Sequence, residues 1–188
     1  MGYSFSLDAK EKATLLKLAR WAVDSGLGGV DVSKRLLEDL RQERLCVPRG
    51  CFVTLRLNNI LRGCMGTVLP VEPLYKNVIY MAYAAAFSDP HFTPLTTVEW
   101  PKIRCEISIV GPLSRCPEVG LIEVGRHGLI LQKNKHSSMF LPSVPVEAGW
   151  DLVEYLDNLC LKANLLRGAW READVQLCWF ESYTFSDG

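Results

Sequence analysis

The segment LRGCMGTVLP, residues 61–70, combines an arginine, a cysteine and two glycines in a stretch that otherwise has the composition of a β-strand. The forked guanidinium of Arg62 suits a carboxylate or a phosphate, and its charge favours the reactive thiolate form of Cys64. Gly63 and Gly66 would let a ligand approach the backbone amides closely. The first hypothesis is therefore an anion site in which Cys64 acts as the nucleophile. The structural alternative is that the glycines mark a β-bulge, the cysteine is buried and the arginine pairs with an acid of the core.

Two other side chains have the chemistry to move protons. Glu106 stands in the middle of the alternating segment IRCEISIV, and Ser108 follows it on the same face of the predicted strand. His127 lies between two glycines in the turn VGRHGL, which is well placed to present an imidazole at a groove. With Cys64 these residues would make a Cys-His-acid constellation, whose members need only meet in space. The structural alternatives are a Glu106 that pairs with an arginine and a His127 that is hydrogen-bonded to backbone.

No metal and no nucleotide cofactor is predicted. The three histidines do not stand at metal-ligand spacing from one another, and the seven cysteines include no C-x-x-C pair. The phosphate-binding patterns G-x-x-x-x-G-K and G-x-G-x-x-G do not occur. In the segment SDPHF, Asp89 is predicted to bind amides of the loop that follows a helix.

The bulk composition argues against several classes of protein. The chain has 188 residues, 48% of them hydrophobic, which predicts one globular domain. Lysine plus arginine equals aspartate plus glutamate at 21 each, so neither nucleic acid nor an anionic membrane is a predicted partner. No apolar run reaches the ~18 residues that a membrane span needs. The N-terminus lacks the pattern of a secretion signal, and reduced thiols in the cytoplasm or nucleus are therefore expected.

Periodicity and turn residues predict the elements that must position these side chains. A D-x-x-E pattern at Asp8 begins the first helix, and Asn58-Asn59 joins the strands CFVTLRL and ILRGCMGT in a hairpin. In the strand IRCEISIV the apolar residues alternate, which predicts one buried face. The other predicted elements are three helices at VSKRLLEDLRQER, PLYKNVIYMAYAAAFSD and WDLVEYLDNLCLKANL, three short strands with turns within GLIEVGRHGLILQKNKHSSMFL, and one long strand at DVQLCWFESYTF.

This order of elements predicts an α+β fold with a mostly antiparallel sheet packed with helices. Short strands and turns concentrate between residues 111 and 143, which makes this segment the candidate for a small subdomain. A groove between that subdomain and the main body would be a natural place for a ligand.

Several phrases along the chain resemble those of one family. The segment GCFVTLRLNNILRGCMGTVLPVEPL contains the family's phrase Leu-Arg-Gly-Cys-x-Gly. The segments AAAFSDPHFTPL, CEISIVGP, VGRHGLIL, LPSVPVEAGWD and LCLKANL resemble further family phrases in the same order. On these motifs the chain resembles the AMME chromosomal region gene one domain family, whose prokaryotic members are called AmmeMemoRadiSam system protein A. The departures from the family's phrases are His91 for arginine, Met65 for isoleucine, Ser143 for glutamine and Asn164 for glycine.

The resemblance implies a single domain over residues 1–188, with a larger and a smaller subdomain and a cleft between them. It implies that one site gathers the residues Arg62, Cys64, Asp89, Glu106, Ser108, His127 and Glu147. It implies no particular reaction. Family genes accompany those of a Memo-type protein and of a radical S-adenosylmethionine enzyme, so either of these is a predicted protein partner. The chain itself lacks the C-x-x-x-C-x-x-C ligands of a radical enzyme.

Two functions stay open on these grounds, and the chain is not assigned as an enzyme. The first is a cleft for a small anionic ligand, held by Arg62 and by the amides near Gly63 and Gly66. A reaction at Cys64, with Glu106 or His127 moving protons, would belong to this function. The second is a non-enzymatic adaptor or regulatory module that binds a protein partner. A catalytic cysteine should be accessible and quickly alkylated, whereas an adaptor should expose an apolar patch.

Overall fold

The structure is a computed structural model that describes residues 5–28 and 43–187. These residues form two compact units, which we call the first unit (residues 5–110 and 183–187) and the second unit (residues 111–182). The predicted helix at VSKRLLEDLRQER lies outside the described residues except for its last two positions. In the ranges that are described, no helix is both long and apolar enough to cross a membrane.

The described residues contain five α-helices and eight β-strands. The helices are α1 (Ala9–Gly26), α2 (Glu43–Cys46), α3 (Leu74–Phe87), α4 (Ser143–Ala148) and α5 (Leu152–Lys162). The strands are β1 (Cys51–Leu57), β2 (Ile60–Thr67), β3 (Ile103–Val110), β4 (Ser114–Arg115), β5 (Gly128–Lys133), β6 (His136–Phe140), β7 (Gln176–Phe180) and β8 (Ser182–Ser186). Single 3-10 turns occur at Trp100–Lys102, Val119–Leu121 and Ala169–Arg171.

The first unit is built on a four-stranded sheet in the order β2-β1-β3-β8, with α1 and α3 on one face. The predicted capping box begins α1, because the amide of Glu11 donates to the Asp8 carboxylate and the amide of Asp8 donates to Glu11. The predicted hairpin between β1 and β2 is also confirmed. Its turn residues Asn58 and Asn59 have φ angles of 53° and 65°, which asparagine tolerates better than most residues.

The two faces of this sheet differ in polarity. The alternation predicted for β3 is confirmed, and its apolar residues join those of β1 in the core beneath the helices. This core face consists of Cys51, Val53, Leu55, Ile103, Cys105, Ile107 and Ile109. The opposite face carries Thr54, Glu106 and Ser108, so the polar candidates of the sequence lie together on one side of the sheet.

The second unit has its own sheet, in the order β4-β7-β5-β6, and its own core. A second capping box begins α5, where Asp151 and Glu154 bind each other's amides. The apolar face of α5 packs on β5 and β6. The buried side chains shared by these elements are Leu129, Leu131, Tyr155, Leu156, Leu159 and Cys160.

Three sequence predictions differ from the structure. The segment GLIEV is a 3-10 turn and loop rather than a strand, because the amides of Leu121 and Ile122 bond to carbonyls three residues back. The predicted long strand DVQLCWFESYTF is interrupted at Glu181, and its halves β7 and β8 belong to different sheets. The small subdomain was placed at 111–143, whereas the second unit continues to residue 182, since β7 and α5 complete its sheet and its core.

Candidate functional site

Arg62 occupies a β-bulge in β2. Leu55 pairs with Gly63 and Arg56 with Leu61, which leaves Arg62 as the extra residue between them. The bulge directs the guanidinium to the loop that follows α3. There the Nε and Nη2 groups of Arg62 donate to the two carboxylate oxygens of Glu99 at 2.8 and 3.2 Å, and Nη1 donates to the Thr93 carbonyl at 3.0 Å.

The arginine is thus held by an acid, although Glu99 is 26% exposed and is not the core residue that the structural alternative expected. Its side chain is only 14% exposed. An anionic ligand would have to displace the Glu99 carboxylate to reach the guanidinium fork, so the ligand-binding role of Arg62 stays a prediction.

Replacing Glu99 by glutamine is expected to destabilise the fold by about 1–2 kcal/mol at pH 7. Hydrogen bonds from Arg62 and from Thr96 lower the pKa of Glu99 from its ordinary 4.5 to about 2. A lowered pKa contributes stability that is present above pH 4.5 and is lost as the pH falls towards 2. Urea unfolding of wild type and Glu99→Gln at pH 7, 4.5 and 2 should therefore show a difference that shrinks with acid. A difference of constant size would mean that the carboxylate charge is not what stabilises this loop.

Gly63 and Gly66 are explained by packing. A Cβ on Gly63 would lie 2.1 Å from the Ala85 carbonyl oxygen of α3, and a Cβ on Gly66 would lie 2.1 Å from the ring of Phe52. Both glycines therefore allow a close approach between parts of the protein itself. Their predicted role in binding an anion through backbone amides stays untested.

Asp89 is a buried carboxylate that ties β2 to the loop after α3. Its side chain is 4% exposed, and its Oδ2 accepts from the amide of Cys64 at 2.8 Å. Oδ1 accepts from the amide of His91 at 2.9 Å and lies 3.0 Å from the His91 Nδ1. Burial alone would raise the pKa of Asp89, but the hydrogen bonds from Cys64 and His91 outweigh it and lower that pKa below 3.8. The prediction that Asp89 binds an amide of the loop after the helix is confirmed at His91, whereas its second amide partner, Cys64, belongs to β2.

Cys64 lies on the polar face of the first unit's sheet. Its sulfur is 3.3 Å from the Thr54 hydroxyl, and Thr54 pairs in turn with Glu106 on β3. Neighbouring strands are about 4.8 Å apart, so Glu106 stands roughly 10 Å from Cys64 in the plane of the sheet. Thr54 lies between the two residues in the sheet.

The other predicted residues of this face are held by protein partners. The Glu106 Oε2 lies 3.8 Å from Arg104 and 4.0 Å from Arg56, which matches the structural alternative of an arginine pair. The hydroxyl of Ser108 lies 2.9 Å from that of Thr184 on β8. All five predicted residues of this part of the chain belong to the first unit: Arg62, Cys64, Asp89, Glu106 and Ser108.

His127 belongs to the second unit, where it lines a cavity of about 470 Å³. The other lining residues come from the start of β4, from the turn before β5 and from the end of β7. They are Pro112, Ser114, Leu121, Glu123, Arg126, Trp179, Phe180 and Glu181. Glu147, which was predicted to share a site with His127, is an exposed residue of α4 outside this lining.

A tight turn fixes the His127 imidazole. The carbonyl of Glu123 accepts from the amides of Arg126 and His127, and Gly125 adopts a φ of 89° within the turn. The amide of Glu123 donates to the His127 Nδ1 at 3.0 Å, which places the proton of the neutral ring on Nε2. From α5, the Tyr155 hydroxyl donates to the His127 carbonyl. The backbone bond of His127 that the structural alternative described is therefore present.

The His127 ring stays neutral and stacks on an indole. Burial, followed by the charge of Arg126, lowers the pKa of His127 below 6.5. The ring centroids of His127 and Trp179 are 4.4 Å apart, with 33° between their planes. The Trp179 Nε1 donates to the Ser114 hydroxyl at 2.6 Å, so the indole is fixed at its far edge as well.

One arginine and two glutamates form the charged part of the lining. The Arg126 Nη1 donates to Glu123 at 2.6 Å, while Nε and Nη2 donate to the same oxygen of Glu181 at 3.2 and 3.1 Å. Sequence reasoning found His127 but missed these three residues and Trp179. The turn itself offered a signal, because Glu123 and Arg126 lie on either side of Gly125 in the turn that precedes His127. Trp179 offered none, since a tryptophan in a strand is ordinarily a core residue.

In the part of the chain that the structure describes, reactive or polar groups converge at the cavity and on the polar face of the first unit's sheet around Cys64. Among the described residues, no group of three or more His, Cys, Asp or Glu side chains is arranged to hold a metal ion. Burial raises the pKa of the Cys51 and Cys105 thiols to about 12, so these cysteines are inert core residues.

The fold and these two places define a class: an α+β protein of two units, each with its own four-stranded sheet. The model of the AMMECR1 family matches residues 16–185, and the chain belongs to that family. It is 36% identical to the protein MK0488 of Methanopyrus kandleri over 100% of this chain and 92% of that protein. It is also 36% identical to the protein TK0174 of Thermococcus kodakarensis, over 92% of this chain and 88% of that protein.

A crystal structure of the uncharacterized protein PH0010 from Pyrococcus horikoshii has the same fold. It superposes with a TM-score of 0.84 at 33% sequence identity, covering 92% of this chain and 89% of that one. The predicted α+β fold and the family resemblance are both confirmed.

Proposed function

We propose that this chain is a small-molecule binding protein and that its ligand occupies the cavity lined by His127 and Trp179. The observation that carries the proposal is the cavity itself. Its volume of about 470 Å³ is within the range of roughly 300–1,000 Å³ that is typical of ligand sites. Its walls combine aromatic and apolar side chains with a few fixed polar groups, which is the usual composition of such sites.

The polar groups of the cavity are held in place before any ligand arrives. The Trp179 indole is fixed by Ser114, and the His127 ring is fixed by the amide of Glu123. Groups that are already ordered lose little entropy on binding, which favours affinity for a small ligand. The Nε2–H of His127 makes no hydrogen bond to any residue in the described ranges, so it is available as a donor.

A fragment library screened by ligand-observed NMR tests the proposal. Hits should give a binding signal with the wild-type protein and none with the Trp179→Leu variant. Trp170→Leu is the matched control, because Trp170 is a half-buried tryptophan of the same unit that lies outside the lining. Circular dichroism of both variants checks that they fold. A screen without hits that depend on Trp179 would refute the proposal.

A reaction at Cys64 is a second candidate function, favoured by the hydroxyl beside its half-buried sulfur. If the Thr54 hydroxyl donates to the sulfur, it stabilises the thiolate. We then expect iodoacetamide at pH 7.5 to modify Cys64 several-fold faster than the exposed Cys46. Mass spectrometry measures the two rates of modification. Thr54→Val should slow the modification of Cys64 and leave that of Cys46 unchanged. A Cys64 that reacts no faster than Cys46, with no effect of Thr54→Val, would mark its thiol as structural.

The adaptor alternative is favoured only if both tests fail. An anionic ligand at Arg62, a Memo-type or radical-enzyme partner, and a cytoplasmic or nuclear location stay predictions from the sequence. Calorimetry with a purified Memo-type protein tests the adaptor, which should bind it equally well as wild type and as Cys64→Ser; a chain that does not bind that protein contradicts this partner.

A further inference from the structure

We infer, on the basis of the proposed function, that the cavity in the second unit anchors its ligand through the Nε2–H of His127. The ligand then carries a hydrogen-bond acceptor, such as a carbonyl oxygen, at the place where it meets this ring. His127 has a different role here from the one that the sequence predicts, because the ring donates a hydrogen bond and does not move protons.

The backbone decides which nitrogen of His127 carries the proton. The amide of Glu123 donates to the His127 Nδ1 at 3.0 Å. A backbone amide always carries its hydrogen, so Nδ1 can only accept, and the proton of the neutral ring lies on Nε2. A second proton, on Nδ1, would set two donors against each other. Burial, followed by the charge of Arg126, lowers the pKa of His127 and favours the same neutral state.

The Nε2–H group has no partner within the protein. The residue is only 7% exposed, and its Nδ1 faces the backbone of its own turn, which leaves Nε2 at the far edge of the ring. Nε2 makes no hydrogen bond to a residue of the described ranges, and it is not sealed within the core. Because His127 lines the cavity, we take the open space at Nε2 to be the cavity. An acceptor that a ligand brings there gains a hydrogen bond.

A second donor stands near the first. The Ser114 hydroxyl oxygen accepts from the Trp179 Nε1 at 2.6 Å, and a hydroxyl that accepts in this way keeps its own hydrogen for donation. Ser114 lies at the edge of the indole, and His127 stacks on its face. An acceptor placed beside this indole therefore meets donors on two sides.

The charged groups of the lining already have partners in the protein. The Arg126 Nη1 donates to Glu123, and its Nε and Nη2 donate to Glu181. A ligand that bound Arg126 through an anionic group would have to compete with these ion pairs. The Nε2–H of His127 can be reached without breaking any bond of the protein.

Two variants separate the donor from the rest of the ring. In His127→Asn the amide oxygen can take the place of Nδ1 and accept from Glu123, but no group reaches the position of Nε2. In His127→Gln the longer side chain can bring its NH₂ group near that position and restore a donor. Both variants lose the ring that stacks on Trp179, so the comparison between them isolates the donor.

Two probes of nearly the same shape measure the effect. Acetophenone has a carbonyl oxygen where α-methylstyrene has a methylene group. NMR titration of the isotope-labelled protein gives both affinities, and their ratio is compared between proteins because each probe has its own cost of leaving water. The preference for acetophenone should fall about fivefold in His127→Asn and less than about twofold in His127→Gln. An unchanged ratio in His127→Asn would overturn the inference.

The tautomer can be tested on the wild-type protein without a ligand. A proton–nitrogen correlation spectrum of the labelled imidazole, assigned through its contact with the Trp179 ring, should show a protonated Nε2 and an unprotonated Nδ1. A proton on Nδ1 would overturn the inference. Thermal unfolding checks that both variants keep their fold, and this spectrum needs neither of them.

Failure of the anchor and failure of the proposed function give different results. If neither probe binds, the fragment hits that need Trp179 take their place. Hits without an acceptor, or hits that bind His127→Asn as tightly as wild type, would overturn the anchor and leave the binding function standing. Hits that carry an acceptor and are weakened in His127→Asn support the anchor. A screen without hits that need Trp179 refutes both.

Discussion

Replacing Gly63 by alanine is expected to lower the free energy of unfolding by about 3 kcal/mol. The added Cβ would lie 2.1 Å from the Ala85 carbonyl oxygen, far inside any tolerated contact. The obstacle is helix backbone, which cannot rotate away as a side chain can. Either α3 moves off the sheet or β2 is pushed outward, and both separate core residues such as Leu55 and Val78 from their neighbours. Urea unfolding followed by circular dichroism measures the loss.

Gly120→Ala is the control for this prediction. A Cβ at Gly120 would meet only the Glu118 side chain, at an ordinary 3.7 Å. Both substitutions remove the same backbone freedom from the unfolded chain, so the difference between them isolates the contact in the folded state. Gly120→Ala should change stability by less than about 0.5 kcal/mol. Equal effects of the two variants would contradict the close approach of α3 to β2.

Replacing Asp89 by asparagine is expected to lower the free energy of unfolding by about 3 kcal/mol, although the shape of the side chain is kept. The buried carboxylate accepts from the amides of Cys64 and His91 on different oxygens. An asparagine has one acceptor oxygen, and its NH₂ group would face the other amide, which leaves a buried donor without a partner. Thermal and urea unfolding at pH 7 measure the loss.

His91→Ala serves as the comparison for Asp89→Asn. The His91 side chain is 82% exposed, and its removal leaves both amide bonds to Asp89 in place, so a loss below about 1 kcal/mol is expected. Acid provides a second check. Because the pKa of Asp89 is lowered, the carboxylate's contribution to the free energy of unfolding is present above pH 3.8 and is lost as the pH falls further. The free energies of unfolding of wild type and Asp89→Asn should therefore converge below pH 3.8. If Asp89→Asn lowered the free energy of unfolding no more than His91→Ala does, the carboxylate would not be needed for stability.

Features that depend on a few neighbouring residues could be predicted from the sequence. The capping box at Asp8 and the Asn58-Asn59 hairpin each need residues close in the chain, and both are present. The alternation of β3 is equally local, because side chains of a strand point to opposite faces in turn. The interruption at Glu181 was missed because the run DVQLCWFESYTF keeps a strand-like composition across the change of sheet.

The candidate site depended on contacts that no local pattern contains. Arg62 was predicted to bind an anion. The Glu99 that occupies its guanidinium lies on another element, and the bulge that directs the side chain there is set by pairing with β1. The two glycines suggested room for a ligand, whereas the space is taken by α3 and Phe52. His127 was found from its turn. Its partner Trp179 comes from β7, and only the folded sheet brings them together.

The bond between Asp89 and the Cys64 amide also bears on self-association. β2 is the outermost strand of its sheet, and the amides of such strands are where strands of other molecules can add and start fibrils. Asp89 occupies one of these amides with a buried negative charge, and the bulge at Arg62 breaks the regular ladder beside it. The loop after α3 thus protects part of the edge strand β2 from pairing with another molecule. Replacing Asp89 would leave the Cys64 amide free to pair with a strand of another molecule.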